Sequence, residues 1–104
     1  MGSVEVASHA SPRGWTCIVA VRNGGETRHL VHVSRADLAR LAPGATDPGD
    51  LVRASFAFLL EREPREAILR EFEISVIGRY FPEFEREIKA PRRARASSVT
   101  HSGC

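Results

Sequence analysis

Two runs of β-branched and aromatic residues flank a short glycine-rich turn, and this pattern limits the fold more than any other feature. The runs are Trp15–Arg22 and Thr27–Val33, and Asn23-Gly24-Gly25-Glu26 joins them. Such residues favour strands, and such turns join antiparallel strands. A three-residue loop over residues 23–25, with Gly25 left-handed, pairs Arg22 with Glu26 and places the apolar residues of both strands on one face. A two-residue loop would mix the faces.

Because an isolated hairpin is only marginally stable, this one must pack on the rest of the chain. Start and stop signals after the hairpin predict several short helices, and Ser34 is the expected cap of the first. Their predicted ranges are Ser34 to Pro43, Asp47 to Arg62, Pro64 to Phe72, Ser75 to Phe81, and a last turn or two after Pro82. The second is apolar on most of its surface, which is typical of a buried helix, and Phe56 is its expected core centre.

The fold class that follows is α+β. We expect an N-terminal antiparallel β-hairpin packed against four or five short α-helices, with a third strand at Val4-Glu5-Val6 left open. We expect residues 1–14 to form a flexible segment, residues 15–90 a single domain, and residues 91–104 a disordered basic tail. The tail has three Arg and no acidic residue, whereas residues 34–90 have a net charge of −2.

The chain begins without a basic, apolar leader, and its apolar stretches are shorter than the roughly 20 residues that span a bilayer. We therefore expect a cytoplasmic protein that does not bind membranes. Cys17 falls inside a predicted strand and is expected to behave as a small buried hydrophobe.

One part of the chain resembles a group of short bacterial proteins of unknown function. The residues that carry the resemblance are Phe58-Leu59-Leu60-Glu61-Arg62-Glu63-Pro64, Ile68-Leu69, Phe72, Ile77 and Tyr80-Phe81-Pro82. The resemblance covers about Leu51 to Ile88. It implies a bacterial source and brings no activity, catalytic residue or ligand with it.

The residue types that usually carry chemistry do not form a site in this sequence. His29 and His32 lie three apart on a strand, so they point to opposite faces and cannot share a metal ion. The many Glu residues mostly have an Arg or Lys close by, and no glycine-flanked nucleophile is present. We therefore predict no catalytic residues, no metal, no cofactor and no enzymatic activity.

The function we expect is that of a small non-enzymatic binding or regulatory module. Six aromatic residues fall between positions 56 and 84, and a domain of this size need not bury all of them. Surplus apolar surface usually marks an interface. Tyr80, Phe81 and Phe84 are the candidate interface, for a protein partner or for self-association, and the hairpin edges offer a second route to strand pairing.

The alternative is a helix-turn-helix nucleic-acid-binding protein that uses residues 64–81. Its candidate contacts are Arg65, Arg70, Ser75 and Arg79. Residues 61–90 carry six basic and eight acidic residues, and binding to a polyanion requires the neutralisation of phosphates. The charge of this region therefore disfavours nucleic acid.

Overall fold

The predicted hairpin forms the middle of a four-stranded sheet. The computed structural model describes residues 3–89, so the predicted basic tail over residues 91–104 lies outside the described residues. The strands are β1 (Ser3–Ser11), β2 (Gly14–Arg22), β3 (Glu26–Ser34) and β4 (Glu71–Glu73). The helices are α1 (Arg35–Leu41), α2 (Gly49–Leu60), a 3-10 turn (Arg65–Ala67), α3 (Val76–Tyr80) and α4 (84–89).

The strands follow the order β1-β2-β3-β4. The first three are antiparallel neighbours, and β4 pairs parallel with β3. The α+β class and its antiparallel hairpin are thereby confirmed, and β1 is the third strand that the sequence left open. The prediction of a flexible segment over residues 1–14 is wrong for Ser3–Ser11. These residues form strand β1 because they pair with β2, with Val6 opposite Val19, and because alternate β1 side chains pack toward the core.

The loop between β2 and β3 has the predicted length, with Arg22 paired to Glu26. The glycine with a left-handed backbone is Gly24, with φ of 74°, and not Gly25 as predicted. Gly25 has a different role, since a side chain there would collide with the guanidinium of Arg65. One glycine permits the turn, and the next permits the close approach of a distant side chain.

One face of the sheet packs against the helices to form the core. Its buried strand residues include Cys17, Val19, Val21, Val31 and Val33. Phe56 of α2 has no exposed surface, which confirms it as a core residue. Its ring centroid lies 5.2 Å from that of His29 and 6.2 Å from that of Phe72, so it joins the hairpin to β4.

The helix starts follow side chains that the sequence identifies. The Ser34 hydroxyl accepts the backbone N–H of Asp37 at 3.0 Å, which is the predicted cap of α1. The Asp47 carboxylate accepts the N–H of Gly49 at 2.6 Å. Helix α2 therefore begins one residue after Pro48 and ends at Leu60, two residues short of the prediction.

The predicted helix over Pro64–Phe72 is wrong. That segment contains the 3-10 turn followed by an extended stretch that becomes β4. The N–H of Leu30 donates to the carbonyl of Arg70 at 2.7 Å, and the N–H of Ile74 donates to the carbonyl of His32 at 3.0 Å. The free edge of β3 thus supplies backbone partners that outweigh the helical spacing of the apolar residues.

Candidate protein-binding groove

An apolar groove of about 270 Å³ opens between the end of α2, β4 and α3. Its lining is almost entirely aliphatic and aromatic. The residues that line it are Leu59, Glu63, Ala67, Ile68, Leu69, Phe72, Val76, Ile77, Tyr80 and Phe81. The groove therefore suits an apolar side chain rather than a charged small molecule.

Two large apolar side chains of this groove remain in contact with solvent. Leu69 is 49% exposed and Tyr80 is 68% exposed. The groove floor, by contrast, contains Ile68, Phe72 and Ile77, which are all buried. Exposed apolar side chains beside a buried apolar floor are typical of a surface that binds another protein.

Local sequence signals explain how the groove forms. Pro64 has an extended ψ of 156°, so the chain does not continue along the axis of α2, and the 3-10 turn that follows changes its direction. The carbonyl of Leu69 accepts a hydrogen bond from Nδ1 of His29 at 2.7 Å, which fixes this segment against β3. Helix α3 then follows β4 closely, and its Ile77 packs into the core.

The charge of the groove is negative. Glu63 is the one carboxylate in the lining, and it makes no ion pair within residues 3–89. The neighbouring Arg62 is directed elsewhere, to Glu83 and Glu87 of the chain's last described segment. A basic group on a ligand would therefore find an available carboxylate at Glu63.

The three predicted interface residues lie in different environments. Tyr80 and Phe81 both line the groove, so the structure brings these two together. Phe84 is fully buried, with its ring centroid 5.1 Å from that of Phe58, and its assignment to the interface is wrong. Phe84 lies on the first turn of α4 and points inward, because α4 packs its apolar side against the end of α2.

Leu69 and Val76 are groove residues that sequence reasoning missed. Both fall within the predicted helices Pro64 to Phe72 and Ser75 to Phe81, where their spacing from other apolar residues fits the core-facing side of a helix. The short polar-apolar-polar pattern of Glu71-Phe72-Glu73 was the available signal for a strand. Three residues are too few to distinguish that alternation from the surrounding helical pattern.

The proposed helix-turn-helix over residues 64–81 does not form, because its first helix is replaced by a 3-10 turn and a strand. Its candidate contacts differ in exposure. The side chain of Arg65 is mostly covered and donates to the carbonyl of Asn23 at 2.7 Å. Arg70 and Arg79 are exposed, and Ser75 is half-buried before α3.

The two strand histidines point to opposite faces, as predicted. His29 is buried, and its Nε2 lies 2.9 Å from the Thr27 hydroxyl. His32 lies on the open face, 2.8 Å from the Glu71 carboxylate. Among residues 3–89, no group of three His, Cys, Asp or Glu side chains is arranged to hold a metal ion.

Cys17 is a buried thiol, as the sequence indicates. Burial raises its pKa above the ordinary value, and the Asp47 carboxylate acts in the same direction, while the hydrogen bond to Ser8 opposes them. The thiol donates to the Ser8 hydroxyl at 3.6 Å. A buried thiol that holds its proton is a poor nucleophile.

Comparison of the chain with protein-family models, curated proteins and solved structures found no match. The resemblance over Leu51 to Ile88 therefore remains a prediction. Within residues 3–89, no helix has the length and apolar character needed to cross a bilayer.

Proposed function

We propose that this chain is a small non-enzymatic binding or regulatory module in a bacterial cytoplasm. Its groove would hold an apolar side chain from a segment of a partner protein, with a basic residue of that segment beside Glu63. The observation that carries the proposal is the exposure of Leu69 and Tyr80 at the rim of an apolar groove.

The composition of the groove supports binding rather than catalysis. Among the described residues, its lining has no His, Cys, Ser or Thr, and Glu63 and Tyr80 are its only groups that could transfer a proton. Tyr80 supplies a large, fairly rigid contact surface with a polar tip, a property that makes tyrosine frequent at interfaces. The charge of Glu63 would select segments in which Lys or Arg lies beside the apolar anchor.

A displayed library of random peptides, selected on the full chain, tests the proposal directly. We expect the selected peptides to share an aromatic or aliphatic residue next to Lys or Arg. Leu69→Glu should weaken their binding by at least roughly tenfold, because it places a charge in the apolar contact. Glu63→Gln should weaken peptides with the basic residue and leave those without it unchanged.

Leu30→Glu is the matched control. Leu30 is 37% exposed on the open face of the sheet and does not line the groove, so this variant adds the same charge at a similar apolar position. It should leave peptide affinity unchanged. Peptides that bind Leu69→Glu and the unaltered chain equally well would contradict the proposal.

A further inference from the structure

Strand β1 is a long edge strand without the usual protection against pairing. Its nine residues pair with β2 without a bulge, from Ser3 opposite Arg22 to Ser11 opposite Gly14. It contains neither proline nor lysine. The opposite edge, β4, has only three residues, two of which are Glu. Natural sheets normally shorten, charge or cover their edges; β4 is short and charged, whereas β1 is long and has Glu5 as its one acidic or basic residue besides His9.

The pairing pattern shows which backbone groups of β1 face outward. The N–H of Asn23 donates to the carbonyl of Gly25 at 2.9 Å, so the odd-numbered residues of β2 bond to β3. The even-numbered residues of β2 therefore bond to β1, and Ile18, for example, lies opposite Ala7. It follows that Val4, Val6, Ser8 and Ala10 direct their N–H and carbonyl groups to the outer edge.

We propose that β1 pairs with β1 of a second copy of this chain, antiparallel and about a two-fold axis at Ala7. All nine residues of each strand then have a partner. Val4 pairs with Ala10 and Val6 with Ser8 through the outward backbone groups. Glu5 lies opposite His9, and Ala7 lies opposite itself, at the positions between hydrogen-bonded pairs. The result is a continuous sheet of eight strands.

Hydrogen-bond complementarity between a carboxylate and an imidazole selects this register. In an antiparallel pair, residues at non-hydrogen-bonded positions are the closest, with Cα atoms about 4.5 Å apart. The symmetry places Glu5 of each copy at such a position beside His9 of the other, so the contact occurs twice. The Glu5 carboxylate is 60% exposed and meets Arg22 through Oε2 at 2.7 Å, which leaves Oε1 to accept an imidazole N–H. A shift by two residues loses both contacts and leaves two residues of each strand unpaired.

The margin of the hydrophobic core supports the same arrangement. Val4 and Val6 pack against the core but are only partly buried, because no strand lies beyond them within the described residues. The neighbouring strand residues Val19 and Val21 are almost completely buried. A second β1 would place Ala10 and Ser8 alongside the two valines and reduce their exposure.

This interface uses a surface separate from the groove and does not rest on the proposed function. Cysteine cross-linking tests its register in the full chain, in a Cys104→Ser background. Ala7→Cys places two thiols opposite each other at the axis, within the range of a disulfide. His9→Cys places each thiol opposite Glu5, so it serves as the matched control. Both positions are exposed, and circular dichroism would check the fold of each variant.

We expect light scattering to report a dimer of twice the chain's 11.5 kDa. We expect mild oxidation to trap it through Ala7→Cys and not through His9→Cys. His9→Glu should weaken dimerisation by roughly tenfold or more, because it places a second carboxylate opposite Glu5 at both symmetry-related positions. The double variant Glu5→His with His9→Glu should restore dimerisation. Leu69→Glu should leave the dimer intact, which separates this inference from the groove.

A chain that scatters as a monomer at its highest soluble concentration would overturn the inference. So would a dimer in which both cysteine variants cross-link equally, or in which the exchanged pair fails to restore what His9→Glu removes.

Discussion

The guanidinium carbon of Arg62 lies 3.6 Å from the centroid of the Phe58 ring. The same guanidinium donates to the carbonyl of Phe58 at 3.0 Å, to Glu83 at 3.3 Å and to Glu87 at 3.2 Å. Arg62 therefore covers one face of a core aromatic ring and connects the end of α2 to the region of α4. Because these contacts converge on a side chain that is only 23% exposed, they should matter more than ordinary surface ion pairs.

Replacement of Arg62 by Ala should lower the free energy of unfolding by about 1–2 kcal/mol, mainly through the lost contact with the ring. The free energy of unfolding of Arg62→Lys should lie between those of the unaltered chain and Arg62→Ala, since a lysine keeps the charge but cannot contact both carboxylates in the same geometry. Urea denaturation measures each value. Arg53→Ala is the control, because the pair between Arg53 and Asp50 is exposed and should change stability by less than about 0.5 kcal/mol. Equal losses in Arg62→Ala and Arg53→Ala would show that Arg62 acts only as a surface charge.

The buried imidazole of His29 leads to a second prediction. The Leu69 carbonyl can only accept, so Nδ1 of His29 carries the proton of that bond, and Nε2 is free to accept from Thr27. His29→Phe keeps a ring against Phe56 but leaves a backbone carbonyl and a hydroxyl without their partner. We expect a loss of about 1–3 kcal/mol in the free energy of unfolding.

His32→Phe is the matched control for His29→Phe, since His32 lies on the same strand with its side chain on the open face. Its contact with Glu71 is largely exposed, so we expect a change within about 1 kcal/mol. The result that would count against this account is a loss in His32→Phe as large as the loss in His29→Phe.

Local patterns predicted those parts of the fold that local interactions determine. The β2–β3 register follows from the loop residues and the alternating faces, and the Ser34 cap follows from a hydroxyl that accepts an N–H only three residues away. Phe56 was identifiable because α2 is apolar on almost every side. In each case the decisive interactions lie within one hairpin or one helix, so a short window of sequence contains them.

The missed elements depend on contacts between distant parts of the chain. Strand β4 forms because β3 has a free edge about 40 residues earlier in the sequence, and the helical spacing of Ile68, Leu69 and Phe72 conceals it. In the sequence alone, only three alternating residues indicate β1, and the full strand depends on its pairing with β2. Only part of the groove could be predicted, because the rest of it also depends on contacts between distant parts of the chain. Tyr80 and Phe81 were recognised as surplus aromatics, whereas the position of Leu69 depends on the bond to His29.

Glu26 leads to a prediction about acid pH. Its carboxylate accepts from Nε of Arg28 at 2.7 Å and from Nε of Arg22 at 3.1 Å. The bond from Arg28, followed by that from Arg22, lowers the pKa of Glu26 below its ordinary value. Because the folded pKa is the lower one, these contacts stabilise the hairpin at pH values above the pKa of the unfolded chain. That stabilisation is lost as the pH falls through the folded pKa.

An NMR titration of the Glu26 side-chain carboxyl should therefore give a midpoint below that of an ordinary glutamate. Arg28→Gln should move the midpoint upward more than any other single substitution nearby, because it removes the strongest hydrogen bond to the charged form. Arg53→Gln removes an equal charge far along the chain and should leave the midpoint in place. A midpoint that does not respond to Arg28→Gln would mean that the pair seen between β2 and β3 does not persist in solution, where exposed side chains exchange their partners rapidly.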